Sequence, residues 1–198
     1  ASRRLVFAQI SNNKISKMKH RKVYIIFLFT LVATILTAQS STQEEIDKLI
    51  EQTIERNQYQ EVIHLDTLVL YEAIKLSEVQ QYWVGYVEGN LQLGDYFNRY
   101  GQSLKAIHFY QLALEVAMQK ELYIKQIRAR NRIGYCYIKL GRMKDGEASF
   151  TMLLKELPSL LERVASDKER NKLLELKCMS LTNLGLAQTA LGKIKEGL

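Results

Sequence analysis

Apolar residues recur along most of this chain every three to four positions. Ile46, Leu49, Ile50 and Ile54 fall on one face at the 3.6-residue period of a helix. The pattern predicts a helix from about Thr42 to Arg56, with Ser41 and Glu44 placed to cap it. A second helix is predicted from Glu61 to about Ser77, and Tyr82, Trp83 and Tyr86 supply bulk where this pair joins the next segment. The helical period continues from 87 to the end, interrupted by glycines, and the chain has one proline, Pro158. Pro158 is expected to end or kink a helix, and Ser166 with Glu169 forms a capping box for the next one. The expected fold class is all-α, built of antiparallel helix pairs.

The interrupting glycines keep a fixed spacing. Gly94 and Gly101 are followed by Ala106, Tyr110 and Ala113, and the same offsets give Gly134, Gly141, Gly146, Phe150 and Leu153. Near the end stand Gly185, Gly192 and Gly197. A ladder repeated three times is internal repetition. Each glycine costs a helix about 1 kcal/mol against alanine, so the positions need a reason. Gly94, Gly134 and Gly185 lie inside helical patterns, where a side chain would hold a neighbouring helix away. Gly101, Gly141 and Gly192 end those helices, since glycine adopts the left-handed cap without penalty. Ala106 and Gly146 mark the close crossing of the second helix of each pair, and Tyr110 and Phe150 fill the space beyond it.

The stretch NLQLGDYFNRYGQSLKAIHFYQLALEV, Asn90 to Val116, resembles a tetratricopeptide repeat. The family pattern maps onto Leu93, Gly94, Phe97, Gly101, Ala106, Tyr110 and Ala113, and in a second copy onto Ile133, Gly134, Tyr137, Gly141, Gly146, Phe150 and Leu153. The third copy keeps Leu184, Gly185, Gly192 and Gly197 but has Gln188 in the aromatic place. The resemblance implies a solenoid with copies at 87–120, 127–165 and, incomplete, 178–198. Residues 41–86 then form a degenerate N-terminal helix pair. The glycine intervals exceed the family's 34 residues, so helices or connections are longer here.

The N-terminus departs from the amphipathic pattern. Met18 to Lys22 is a positive cluster, Val23 to Ala38 is uncharged and apolar throughout, and Gln39 to Thr42 is small and polar. That order reads as a signal peptide over 18–40. The uncharged run falls just short of the ~17–25 residues of a spanning helix, which makes an uncleaved anchor through 23–38 the alternative. Residues 1–17 are read as an upstream segment with no structural role. Joined to the resemblance, the leader implies an exported bacterial protein facing the periplasm.

The net charge of +7 arises in residues 1–38. The seven basic residues there meet no acid, and the remaining 21 balance the 21 acids that follow. A phosphate-tracking surface is therefore not expected, and no nucleic-acid partner is assigned. Cys136 and Cys178 lack the spacing of a zinc site and are expected as buried free thiols. His20, His64 and His108 form no ligand pair at helical spacing. No phosphate loop, H-E-x-x-H or G-x-S-x-G motif occurs, so neither catalysis, metal nor cofactor is expected.

What remains is a surface. By the resemblance, a partner-binding groove is lined by Glu88, Leu91, Gln92, Asp95, Asn98 and Arg99 from the first clear copy. The second gives Arg128, Asn131, Arg132, Tyr135, Ile138 and Lys139, and the third Thr182, Asn183 and Leu186. Arg128 and Arg132, four apart, share a helical face. They stand where family members that grip peptide carboxylates carry basic residues. Two readings of the pair follow: a clamp for an acidic or C-terminal group, or a solvated basic face with Lys125 and Arg130 as neighbours. The expected function is a non-catalytic protein- or peptide-binding scaffold. The alternative is the sensory part of a membrane-bound histidine kinase or transcriptional regulator, with its output domain beyond residue 198.

Overall fold

The computed structural model describes residues 42–55 and 65–192. The expected signal peptide, residues 1–17, Ser41, the predicted helix start at Glu61, and Gly197 lie outside the described residues. The chain divides into two compact units, Ala1–Glu44 and Glu45–Leu198, and the packing below is that of the second. Among the described residues all regular structure is α-helical. Helix α1 covers 42–55. It is followed by α2 (Leu65–Val79), α3 (Trp83–Arg99), α4 (Ser103–Gln119), α5 (Tyr123–Lys139), α6 (Met143–Arg163) and α7 (Asp167–Ala190).

The connections from α2 to α6 share one backbone solution. After α3, Gly101 N–H donates to the Asn98 carbonyl (3.2 Å) and Gln102 N–H to that of Phe97 (2.8 Å). After α5, Gly141 donates to Ile138 and Arg142 to Tyr137, both at 2.9 Å. These are Schellman ends, with φ of 73° at Gly101 and 74° at Gly141. Gln81 (φ 53°) and Glu121 (φ 54°) take the same left-handed place after α2 and α4. Their successors close the motif, Tyr82 N–H on Ser77 (2.7 Å) and Leu122 N–H on Ala117 (2.9 Å). A turn therefore recurs at 81, 101, 121 and 141, and glycine marks only alternate ones.

Consecutive helices from α2 to α7 pack against each other, and α5 also lies against α3 and α7. The core runs through the stack in overlapping clusters. Ile46 and Ile50 of α1 meet Leu70, Ala73 and Leu93. Val87 and Leu91 of α3 meet Ala106 and Tyr110 of α4 and Ile133 of α5. Ile127 packs with Leu153, Leu157, Leu173 and Leu176. Three of the ladder glycines sit at helix contacts. A Cβ on Gly94 would strike the Tyr110 ring, and one on Gly134 would stand 2.8 Å from Phe150 Cζ. A Cβ on Gly146 would lie 2.9 Å from Ile138 Cγ1 and 3.3 Å from the Gly134 carbonyl oxygen. Phe97 stacks on Phe109 (5.3 Å), and Tyr137 carries the Arg142 guanidinium 4.6 Å from its ring centre.

Four expectations are corrected. Gly185 is not a close-contact point among the described residues, because nothing there lies within 4 Å of its Cβ position. Of the two outcomes expected at Pro158, the helix end does not occur, since α6 continues to Arg163. Leu157 and Leu160 flank Pro158 in the core, and their burial outweighs one lost backbone bond. Ser166 occupies the N-cap of α7, yet its side chain makes no cap bond. The exposed first turn leaves those N–H groups to solvent. Cys136 is buried but Cys178 is exposed, and both are free thiols.

Candidate functional site

The groove residues expected on α3 and α5 meet each other. Helix α5 crosses α3 with Lys125, Arg128 and Arg132 against Glu88 and Asp95. Glu88 takes Lys125 Nζ at 2.5 Å and Arg128 Nη1 at 3.0 Å on the same oxygen, Oε2. Its Oε1 accepts from Gln92 Nε2 at 2.9 Å. Asp95 Oδ2 pairs with Arg132 Nη2 at 2.6 Å, and its Oδ1 accepts from the Tyr110 hydroxyl at 2.6 Å. Farther along, Lys139 Nζ donates to the Asn98 carbonyl (2.6 Å) and to its Oδ1 (3.0 Å). Arg128 and Arg132 are thus neither an open clamp nor a solvated basic face. Lys125 is a partner of Glu88 rather than a bystander, and Arg130 pairs separately with Glu156 of α6.

Burial and pairing compete at both carboxylates. Burial pushes the Glu88 carboxyl up, but Arg128, Lys125 and the hydrogen bonds from Lys125 and Gln92 outweigh it and hold it at about 2. At Asp95 burial is the larger influence and raises the carboxyl, against Arg132, the Tyr110 hydroxyl and Arg128. Burial beside Asp95 raises the Tyr110 hydroxyl in turn. Burial likewise lifts the Cys136 thiol to about 11, leaving it protonated and inert at neutral pH.

Because Glu88 is depressed from 4.5 to about 2, its stabilisation is fully present above pH 4.5. It is lost as pH falls toward 2, and it amounts to roughly 3 kcal/mol. Glu88→Gln should therefore lower the melting temperature at pH 7. Its deficit against the wild type should shrink steadily between pH 4.5 and 2. Thermal melts of both proteins across that range check this; a deficit constant with pH would refute the ion-pair account.

The other side of α5 meets α7 through uncharged groups. Asn131 Nδ2 donates to Ser180 Oγ (2.6 Å), and Asn183 Nδ2 donates to Asn131 Oδ1 (3.0 Å). Beside this bridge lies a cleft of about 400 Å³, lined by Ile124, Arg128, Asn131, Arg132, Lys172, Leu176 and Met179. A second cleft of about 310 Å³ shares Ile124 and Arg128 and extends to Val84, Tyr123 and Val164. Met179 is 55% exposed, so an apolar side chain stands open at the rim.

Not every predicted groove residue reaches this surface. Leu91 and Ile138 are buried in helix–helix cores, since each faces the next helix in sequence. Gln92 and Asn131 are also buried, at 7% and 4% exposure, and act as internal hydrogen-bonding groups. Arg99, Tyr135, Thr182 and Leu186 are exposed. Sequence reasoning missed Ile124, Lys172, Leu176, Met179 and Ser180. Lys172, Leu176, Met179 and Ser180 lie in α7 ahead of or at the start of the third glycine copy. Their i, i+4, i+7, i+8 spacing was the available signal.

Among the described residues no group of His, Cys, Asp and Glu side chains is placed to hold a metal ion, and no helix is long and apolar enough to cross a membrane. Comparison with protein-family models, with curated proteins and with solved structures gives no match.

Proposed function

We propose that this chain is a non-catalytic helical repeat scaffold of tetratricopeptide type that binds a protein or peptide on the face formed by α3, α5 and α7. The repeat reading is supported by the α3–α4 and α5–α6 pairs, which place a helical glycine against an aromatic ring at the same offset. The binding reading rests on one observation, the α5–α7 cleft with Ile124, Leu176 and Met179 beside polar walls. A preformed cleft between rigid helices binds with little ordering cost. Its size and mixed lining suit an apolar side chain of a peptide with backbone groups near Lys172.

Peptide display on the full chain tests this. Selected peptides should lose about tenfold or more in affinity with Met179→Glu, since burying a methionine side chain contributes about 1.5–3 kcal/mol. Leu104→Glu on α4, where Leu104 is 68% exposed, should leave affinity unchanged. No enriched peptide, or equal binding by the Met179 variant, would refute the reading.

A further inference from the structure

We infer that Glu88 and Asp95 are internal occupants of the Arg128–Arg132 pair, so that this surface refuses a partner's carboxylate and selects a peptide bound through uncharged contacts. The inference rests on the peptide-binding reading and reverses the specificity that an arginine pair at these positions would otherwise imply.

Three features carry it. The first is that Arg128, Arg132 and the adjoining Lys125 already face carboxylates. Lys125 and Arg128 share Glu88, and Arg132 holds Asp95. The second is that both carboxylates are fixed from behind. Gln92 and Arg128 both donate to Oε1 of Glu88, at 2.9 and 3.2 Å, and the buried Tyr110 hydroxyl donates to Oδ1 of Asp95. An incoming carboxylate must therefore draw a cation away from an acid that is held in place and cannot follow it. It then leaves that acid largely buried without its cation, which is the costly direction for a buried pair. The third is that all partners sit on helices, so the internal acid competes at a high effective concentration that a dissociating ligand cannot match. One donor stays unmatched, Arg132 Nη1, but it is buried. The guanidinium carbon lies 5.8 Å from the Tyr110 ring centre.

The internal acids leave the neighbouring apolar cleft as the recognition element. Its cations, Arg128, Arg132 and Lys172, each face a carboxylate of this chain, the last through Glu175 at 2.7 Å. A neutral or apolar peptide segment enters without displacing any of them. Glu88 and Asp95 are specificity-determining residues on this account.

The test uses the full chain and two fluorescein-labelled hexapeptides at low salt. One alternates glutamate with leucine and ends in a free carboxylate; the other replaces glutamate with glutamine and ends in an amide. Wild type should bind both within about twofold or prefer the neutral one. Glu88→Gln with Asp95→Asn should prefer the acidic peptide by about tenfold or more, because the freed arginines now lack partners. A wild-type preference of tenfold for the acidic peptide overturns the inference. So does a folded double variant that gains no preference. Should the double variant fail to fold, Glu88→Gln alone, which keeps an oxygen for Gln92, is read in the same way. Met179→Glu tests the cleft separately. If it weakens neither peptide, the binding surface is misplaced, whereas the acid-to-neutral ratio reports on Glu88 and Asp95 alone.

Discussion

Ala106→Glu should abolish the cooperative thermal transition or lower its midpoint by at least about 10 °C. Ala106 is fully buried where α4 crosses α3, beside Val87, Leu91 and Tyr110. The equivalent position in the next pair is Gly146, whose Cβ would already press on the Gly134 backbone and on Ile138 Cγ1 at 2.9 Å. A glutamate here has neither room nor a partner. It must bury an unpaired carboxylate or force the helices apart, and either costs several kcal/mol. Domains of this size hold about 5–15 kcal/mol in total, and each kcal/mol moves the midpoint by about 2–4 °C. His108→Glu, two residues on but solvent-exposed, is the control and should melt near the wild type. If Ala106→Glu melted there too, the α3–α4 contact would be wrongly placed.

Much of the helical order was legible because close backbone approach forces small residues, and small residues stand out among helix formers. The turns after α2 and α4 were not legible in that way. Gln81 and Glu121 hold the left-handed conformation that Gly101 and Gly141 hold, and side-chain residues there give no glycine signal. The rhythm of twenty residues between turns was the surviving clue. Gly185 misled for the converse reason. Its spacing matches the ladder, but spacing does not state which neighbour is present, and it meets none among the described residues.

The ion pairs show a different limit. Glu88 and Arg128 are forty residues apart, which is also the interval from Gly94 to Gly134. They occupy the same position in successive helix pairs and meet because α5 lies on α3. Shifting each α3 acid by one repeat would have exposed this contact. It would not have exposed Asp95 with Arg132, which are 37 apart and depend on the register of the two helices. Local charge patterning on α5 alone therefore read as a basic face, although Glu88 and Asp95 of α3 pair with Lys125, Arg128 and Arg132 there.

Gly94→Ala and Gly185→Ala should move stability in opposite directions, although each adds the same methyl to a helix interior. At Gly185 nothing among the described residues lies within 4 Å of the added carbon. Only backbone propensity acts there, and the melt should rise by about 2–4 °C for roughly 1 kcal/mol gained. At Gly94 the same propensity gain is outweighed. The new carbon would fall within 2.8 Å of Tyr110 Cζ and closer still to two other ring atoms. The ring cannot step aside, because it is fully buried and its hydroxyl is held 2.6 Å from Asp95 Oδ1. Helix α3 must lift from α4, or the Asp95 bond must break, with a net loss of about 2–4 kcal/mol. Tyr110→Leu removes the obstructing ring atoms and is itself destabilising, but added to Gly94→Ala it should cost less than the sum of the two changes by about 1 kcal/mol or more. Thermal melts of the four proteins in that cycle, with Gly185→Ala alongside, read all of this. Additive losses at 94 and 110 would mean that the glycine is not where the ring packs. Equal shifts at 94 and 185 would reduce both glycines to a matter of helix propensity alone.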